Sequence, residues 1–175
     1  MADEIPDPVG DTAELEPRFP EEGDLVALCR QLNALGARHL VCGGFAMIHA
    51  GYPRTTGEID LFVDMALDNE AKVFQALEIF PDKAVRELDP GDVAKYVVCG
   101  VADEVLVDLI GSAAGIEYAE AARDVVVREV DGVAIPFASP LLLWRMKQHT
   151  HRVKDAPDLL FLRQLLEAQG ITPPE

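Results

Sequence analysis

An α/β fold with α+β character, a mixed β-sheet flanked by helices, is what this 175-residue sequence predicts. Three observations carry that prediction. Apolar residues switch repeatedly between strand and helix spacing, which sets strands and helices in turn along the chain. Two pairs of extended runs are joined by short turns, so part of the sheet is antiparallel. With 49% hydrophobic residues, the chain is long enough to bury one core as a single domain.

Leu25, Val26, Leu28, Cys29, Leu32 and Leu35 recur at helical spacing, with Asp24 as the N-cap and Gly36 just past the end. His39–Cys42 follows as a strand, then Gly43 and Gly44 as a turn, a short helix over 45–49 and a loop over 51–57 that carries Arg54. Glu58–Val63 is the second strand. Residues 66–80 return to helical period through Val73, Phe74, Leu77 and Phe80, and Pro81 stops them. Residues 84–88 read as a short strand, and residues 95–99 and 104–110 as a hairpin turning at 100–103. A short helix covers 118–123. Asp131 and Gly132 between two β-branched runs give a second hairpin. Ser139 caps a helix opened by Pro140 that runs to about 148, and residues 157–169 form the last helix, with Gly170 as its stop.

Residues 1–24 hold four prolines and nine acids against Arg18 alone, which is eight of the net sixteen negative charges. Such a segment has little apolar surface to offset its ordering entropy. Residues 1–23 are therefore expected to be a flexible acidic tail, and residues 24–175 a single domain. The charge argues against non-specific binding to nucleic acid or anionic membrane. No apolar run approaches a membrane span, and Met1, Ala2, Asp3 and Glu4 lack the basic start of a secretion signal, so a cytoplasmic location is expected. Cys29, Cys42 and Cys99 lie in apolar runs without CxxC spacing and read as buried, reduced hydrophobes.

Glu58 and Asp60 are two apart on a strand, so their side chains share a face close to the glycine turn. Alone, that alternation also describes a half-exposed strand. Asp108 adds a second signal, because it interrupts the apolar run Val105, Leu106, Val107, Leu109, Ile110, where a buried central strand is expected. An unpaired carboxylate there is costly. It needs a cation, a hydrogen-bond network or a place at the strand's exposed end. If Asp108 lies beside Glu58 and Asp60, the mutual repulsion calls for a hard divalent cation, and Mg²⁺ prefers a few carboxylates plus phosphate oxygens. Two such ions could brace the entering and leaving oxygens of a displacement at phosphorus, so the chemistry would be phosphoryl or nucleotidyl transfer.

Gly43 and Gly44, the run Arg54-x-Thr56-x-Glu58-Ile59-Asp60, a later strand with Asp108, and Arg152-Val153-Lys154-Asp155 resemble the signature of the polymerase-beta-type nucleotidyltransferase superfamily. The likeness extends from about residue 25 to 166 and is nearest to small bacterial members of the abortive-infection and toxin–antitoxin type. The resemblance implies a nucleotidyltransferase-like fold, with Glu58, Asp60 and Asp108 as metal ligands, two Mg²⁺ ions, and Asp108 as base toward an acceptor hydroxyl. It also implies an NTP substrate held by Gly43, Gly44, Arg54, Thr56, Lys147, Arg152 and Lys154. The acceptor would be an RNA such as a tRNA end, a protein side chain or a small molecule, with a cognate protein partner in a toxin-like setting. Two positions depart from the pattern. Glu58 stands where aspartate is usual, and Phe45 stands where a small hydroxyl residue is common. Both features suit an alternative, a catalytically degenerate module of the same fold that binds nucleotide or protein as an antitoxin-like partner.

Other candidates have plainer readings. Arg145, Lys147, His149, His151, Arg152 and Lys154 suit a solvated helix face, a contact surface for phosphate or RNA, or pairing with the acidic tail. Asp155 and Asp158 suit capping of the last helix. Arg54 suits anion contact or pairing with Asp60. His49 reads as a satisfied surface or core histidine, and Trp144 and Met146 as core.

Overall fold

The computed structural model describes residues 16–175. Most of the expected tail, residues 1–15, lies outside them. The chain forms α1 (Glu22–Ala34), β1 (His39–Cys42), α2 (Gly43–His49), β2 (Glu58–Val63), α3 (Leu67–Leu77), α4 (Asp92–Lys95), β3 (Cys99–Ala102) and β4 (Leu106–Ile110). It continues through a two-stranded ribbon, β5 (Ser112–Ala113) and β6 (Ile116–Glu117), then α5 (Tyr118–Ala121), β7 (Val125–Val130), β8 (Val133–Ala138), α6 (Pro140–Lys147) and α7 (Ala156–Ala168). Six strands make one mixed sheet in the order β3-β4-β2-β1-β8-β7. The predicted fold class is the observed one. The β2–β4 and β1–β8 pairings are parallel, and β1–β2, β3–β4 and β7–β8 are antiparallel.

The core is the sheet's central strands and the helices laid on them. Leu40, Ile59, Leu61, Phe62, Val107, Leu109 and Ile135 are fully buried. The helices α1 and α3 pack on each other, α1 also against β8 and α3 against β2, while α6 and α7 pack together. Asn69 staples this layer to the sheet: its amide accepts from Arg38 N–H at 2.6 Å and donates to the Arg38 and Asp64 carbonyls at 3.0 and 2.8 Å. Every polar atom of that buried amide is thereby used. Cys29, Cys42 and Cys99 are free and buried, as expected. Among the described residues, no helix is long and apolar enough to cross a membrane.

Several boundaries differ from the sequence reading, each for a physical reason. The first helix starts at Glu22, with Glu21 as N-cap; Asp24 sits at the third helical position, where its carboxylate accepts the Glu21 N–H at 2.7 Å and Arg18 at 2.8 Å. Arg18 N–H also donates to the Glu104 carbonyl, so part of the expected tail is tied to the domain. The short helix begins at Gly43 rather than at Phe45. Residues 84–88 are not a strand but a 3₁₀ turn over Ala84–Glu87, because the buried Asp103 carboxylate accepts the N–H groups of Asp82 and Ala84. The expected strand over 95–99 is replaced by α4 up to Lys95, whose approach is fixed by the buried Glu70 carboxylate accepting from Gly91 and Val93. The hairpin that follows is real but shifted, with Asp103–Val105 as its turn.

Candidate active site

The glycine turn, β2 and β4 meet at one point. In the parallel ladder Asp60 lies opposite Asp108 and Glu58 opposite Leu106. Two aspartates therefore stand side by side on neighbouring strands, with Glu58 on the same face one strand repeat earlier. One carboxylate oxygen from each of Glu58, Asp60 and Asp108 lies within 4.8 Å of the others. The strand carrying Asp108 is not buried on both faces, as its apolar run suggested. Leu106, Asp108 and Ile110 form a half-buried face, and Val107 and Leu109 the closed one.

The turn is shaped around Asp60. Gly43 has φ +64°, and a Cβ there would overlap the Asp60 carboxylate, 2.6 Å from its Cγ. Gly44 N–H donates to that carboxylate. A Cβ on Gly44 would lie 2.5 Å from Thr56 Cβ and 3.2 Å from Arg54 Nη1. Thr56 is buried behind the turn and donates its hydroxyl to the Glu58 carbonyl at 3.0 Å, so it shapes the site from behind and does not line the cleft. Phe45 is buried in the core. The turn thus offers backbone donors and no side-chain hydroxyl.

Burial pushes the Asp60 carboxyl up to about 8, and the charges of Glu58 and then Asp108 add to it; Lys147 and the Gly44 N–H offset part of the rise. Asp108 is also raised, by burial first and Glu58 second, with Lys154 and a hydrogen bond to Asp60 acting the other way. Three crowded oxygen ligands whose charge is under-compensated fit a hard divalent cation.

The facing wall comes from α6, α7 and the 3₁₀ turn Val153–Asp155 between them. Lys147 Nζ lies 3.3 Å from Asp155 and 3.5 Å from Asp158. Arg54 pairs with Asp158 at 3.5 Å, not with Asp60. Arg152 Nε is 2.8 Å from Asp155, which also accepts the Thr150 hydroxyl at 2.7 Å. Lys154 is exposed and close enough to Asp108 to act on its charge. All of these residues line one cleft of about 220 Å³, together with Gly43, Gly44 and apolar Val98, Ile110, Leu143 and Met146.

The basic segment is thus divided. Lys147, Arg152 and Lys154 face the cleft; Arg145 bonds Glu120, and His149 and His151 line no part of the cleft. Asp155 is the N-cap residue of α7 and Asp158 lies in its first turn, as the capping expectation placed them, but Asp155 makes no side-chain cap bond, and both acids also anchor cations. Met146 joins the cleft wall, while Trp144 is buried as expected, its indole donating to the Pro174 carbonyl at 2.7 Å. His49 stacks on Phe137 and bonds Glu22. Sequence reasoning placed Asp155 only in the family signature and at a cap, read Asp158 as a cap, and missed Thr150; none of the three was expected to line the site. Besides the signature, the acids carried one legible signal: two of them three apart, a spacing that shares a helix face, directly after a run of cations.

The sequence matches no protein-family model and no curated protein at a significant level. Solved structures do match. A candidate nucleotidyltransferase from Thermotoga maritima is similar with TM-score 0.50 at 18% identity, over 82% of this chain and 91% of that one. An antigenic nucleotidyltransferase-like protein from Paracoccidioides brasiliensis is similar with TM-score 0.52, also at 18% identity, over 87% of this chain and 78% of that one. The fold is nucleotidyltransferase-like. In this fold, the acidic triad and the glycine turn line one cleft, and the cations line it from the helical side.

Proposed function

We propose that the chain is a Mg²⁺-dependent nucleotidyltransferase that moves a nucleoside monophosphate from an NTP to an acceptor and releases pyrophosphate. The observation that carries this reading is the cluster of Glu58, Asp60 and Asp108 beside a glycine turn, faced by Arg54, Lys147, Arg152 and Lys154 across one cleft. The triad would hold the metal, as two ions by the resemblance. Bound there, Mg²⁺ supplies neutralisation of the carboxylates and of the charge that develops on phosphate oxygens. Gly43 and Gly44 present backbone to the triphosphate where side chains would collide. The four cations neutralise phosphate charge, and Thr56 keeps the turn in place. Asp108 accepts the proton of the acceptor hydroxyl. The acceptor is an RNA such as a tRNA end, a protein side chain or a small molecule, in a cytoplasmic, toxin-like setting with a cognate partner.

A second reading keeps the fold without the chemistry, as a nucleotide- or protein-binding module. It is favoured by Glu58, one methylene longer than aspartate, and by the burial of Phe45, which leaves the turn without a side-chain donor. Calorimetric titration of ATP, CTP, GTP and UTP with and without Mg²⁺ tests both. The proposal expects metal-dependent binding of at least one nucleotide that the Asp60→Ala and Asp108→Ala variants lose, with pyrophosphate release once an acceptor is supplied. Absence of nucleotide binding at millimolar concentration overturns it.

A further inference from the structure

We infer that Asp155 and Asp158 are positioning residues that hold Lys147 and Arg54 away from the Glu58, Asp60 and Asp108 cluster, so that its oxygens stay open to a divalent cation. This rests on the reading of that cluster as a metal site. The cleft contains two sets of carboxylates and one set of cations between them. Among the described residues, every ion pair those cations make is with Asp155 or Asp158, and none is with the triad. Access to carboxylates alone does not dictate that choice, since the three carboxylates of the triad line the same cleft.

Lys147 shows the competition directly. Its ammonium is paired with Asp155 and Asp158, yet it lines the same cleft as Asp60. Its side chain is 15% exposed, so it has little solvent to retreat to. Released from its anchors, it would turn toward the triad and take the place of a metal ion. Asp158 sits on the first turn of α7 and Asp155 in the turn before it, with carboxylates 6% and 4% exposed. Thr150 and Arg152 fix Asp155 from the other side. The anchors are therefore rigid where the cations are long and flexible. Arg54, one bond from the same Asp158 oxygen, is kept from the triad in the same way.

Titration of the full chain with Mn²⁺ alone, followed by calorimetry, tests this without nucleotide or turnover. The paired change Asp155→Asn with Asp158→Asn is expected to weaken Mn²⁺ binding by about tenfold, the scale on which outer-shell partners act. Asp158→Asn alone, which leaves the Thr150, Arg152 and Lys147 contacts of Asp155, is expected to fold and to weaken it less. Adding Lys147→Met to the paired variant should restore affinity to within about threefold of the wild type. Equal Mn²⁺ affinity in the wild type and the paired variant overturns the inference. So does a loss that Lys147→Met fails to rescue, which marks a merely structural role. If the wild type itself binds no Mn²⁺, the metal-site reading fails and this inference falls with it.

Discussion

Asp60 and Asp155 are both carboxylates enclosed by the protein, and burial pushes both upward, yet they end on opposite sides of the ordinary range. Asp60 reaches about 8 because burial raises it and the charges of Glu58 and Asp108 add to that rise, with only Lys147 and the Gly44 N–H opposing it. Asp155 ends below its ordinary value because the Thr150 hydroxyl, Lys147 and Arg152 together outweigh the burial that would raise it. The two walls of one cleft thus hold the same functional group in opposite electrostatic states. Burial raises both carboxyls, and the partners decide whether that rise stands or is reversed. One wall is complete as it stands, and the other is complete only with a cation added.

The most direct way to break the contrast is to remove the compensated side. Asp155→Ala leaves Lys147 without one partner and Arg152 without its own, and it is expected to cost about 3 kcal/mol, measured by urea unfolding. A loss under about 1 kcal/mol would mean that water replaces those contacts. Next in size, Gly43→Ala places a Cβ against the Asp60 carboxylate at a positive φ, and about 2 kcal/mol of stability should go, together with Mn²⁺ binding.

The pH dependence sharpens the other side. The folded chain keeps the Asp60 proton after the unfolded chain has lost it, so this group's stability contribution is present below pH 3.8 and is lost as pH rises toward about 8. Asp60→Asn should therefore raise the melting temperature of the metal-free protein by a few degrees at about pH 9 and leave it unchanged at about pH 3.5. A uniform rise at both pH values would locate the gain in packing instead. Smallest of all, Val153→Ser, on a residue 90% exposed between Arg152 and Lys154, should shift stability by less than about 0.5 kcal/mol and leave Mn²⁺ affinity as it was.

What the sequence made legible was what nearby residues decide. The β7–β8 hairpin forms where Asp131 and Gly132 place it, with φ of 50° and 80°, and Ser139 accepts from Leu142 N–H at 3.0 Å as a cap should. The strand face of Glu58 and Asp60 needed only the two-residue period. Convergence with Asp108 was legible as a condition, since an acid inside an apolar run needs a reason. Illegible were the carboxylates that act at a distance. Glu70 organises the approach to α4 from twenty-one residues away, and Asp103 organises the turn at Ala84 from nineteen. Asp158 meets Arg54 across 104 residues. Local propensity carries no trace of such contacts, and these are the places where a strand was expected and a turn was found, or where acids at a helix start proved to be anchors as well.

The parallel pairing of β2 with β4 has a kinetic side. Asp60 and Asp108 are neighbours only because two strands 48 residues apart lie in register, so their repulsion is absent until that long loop has closed. The folding chain meets the electrostatic penalty only after the local β1–β2 and β3–β4 pairs can already form to oppose it. A divalent ion that recognises the triad would accordingly find nothing to bind in the unfolded chain. It would act as a latch on the finished sheet, slowing its opening far more than it hastens its assembly.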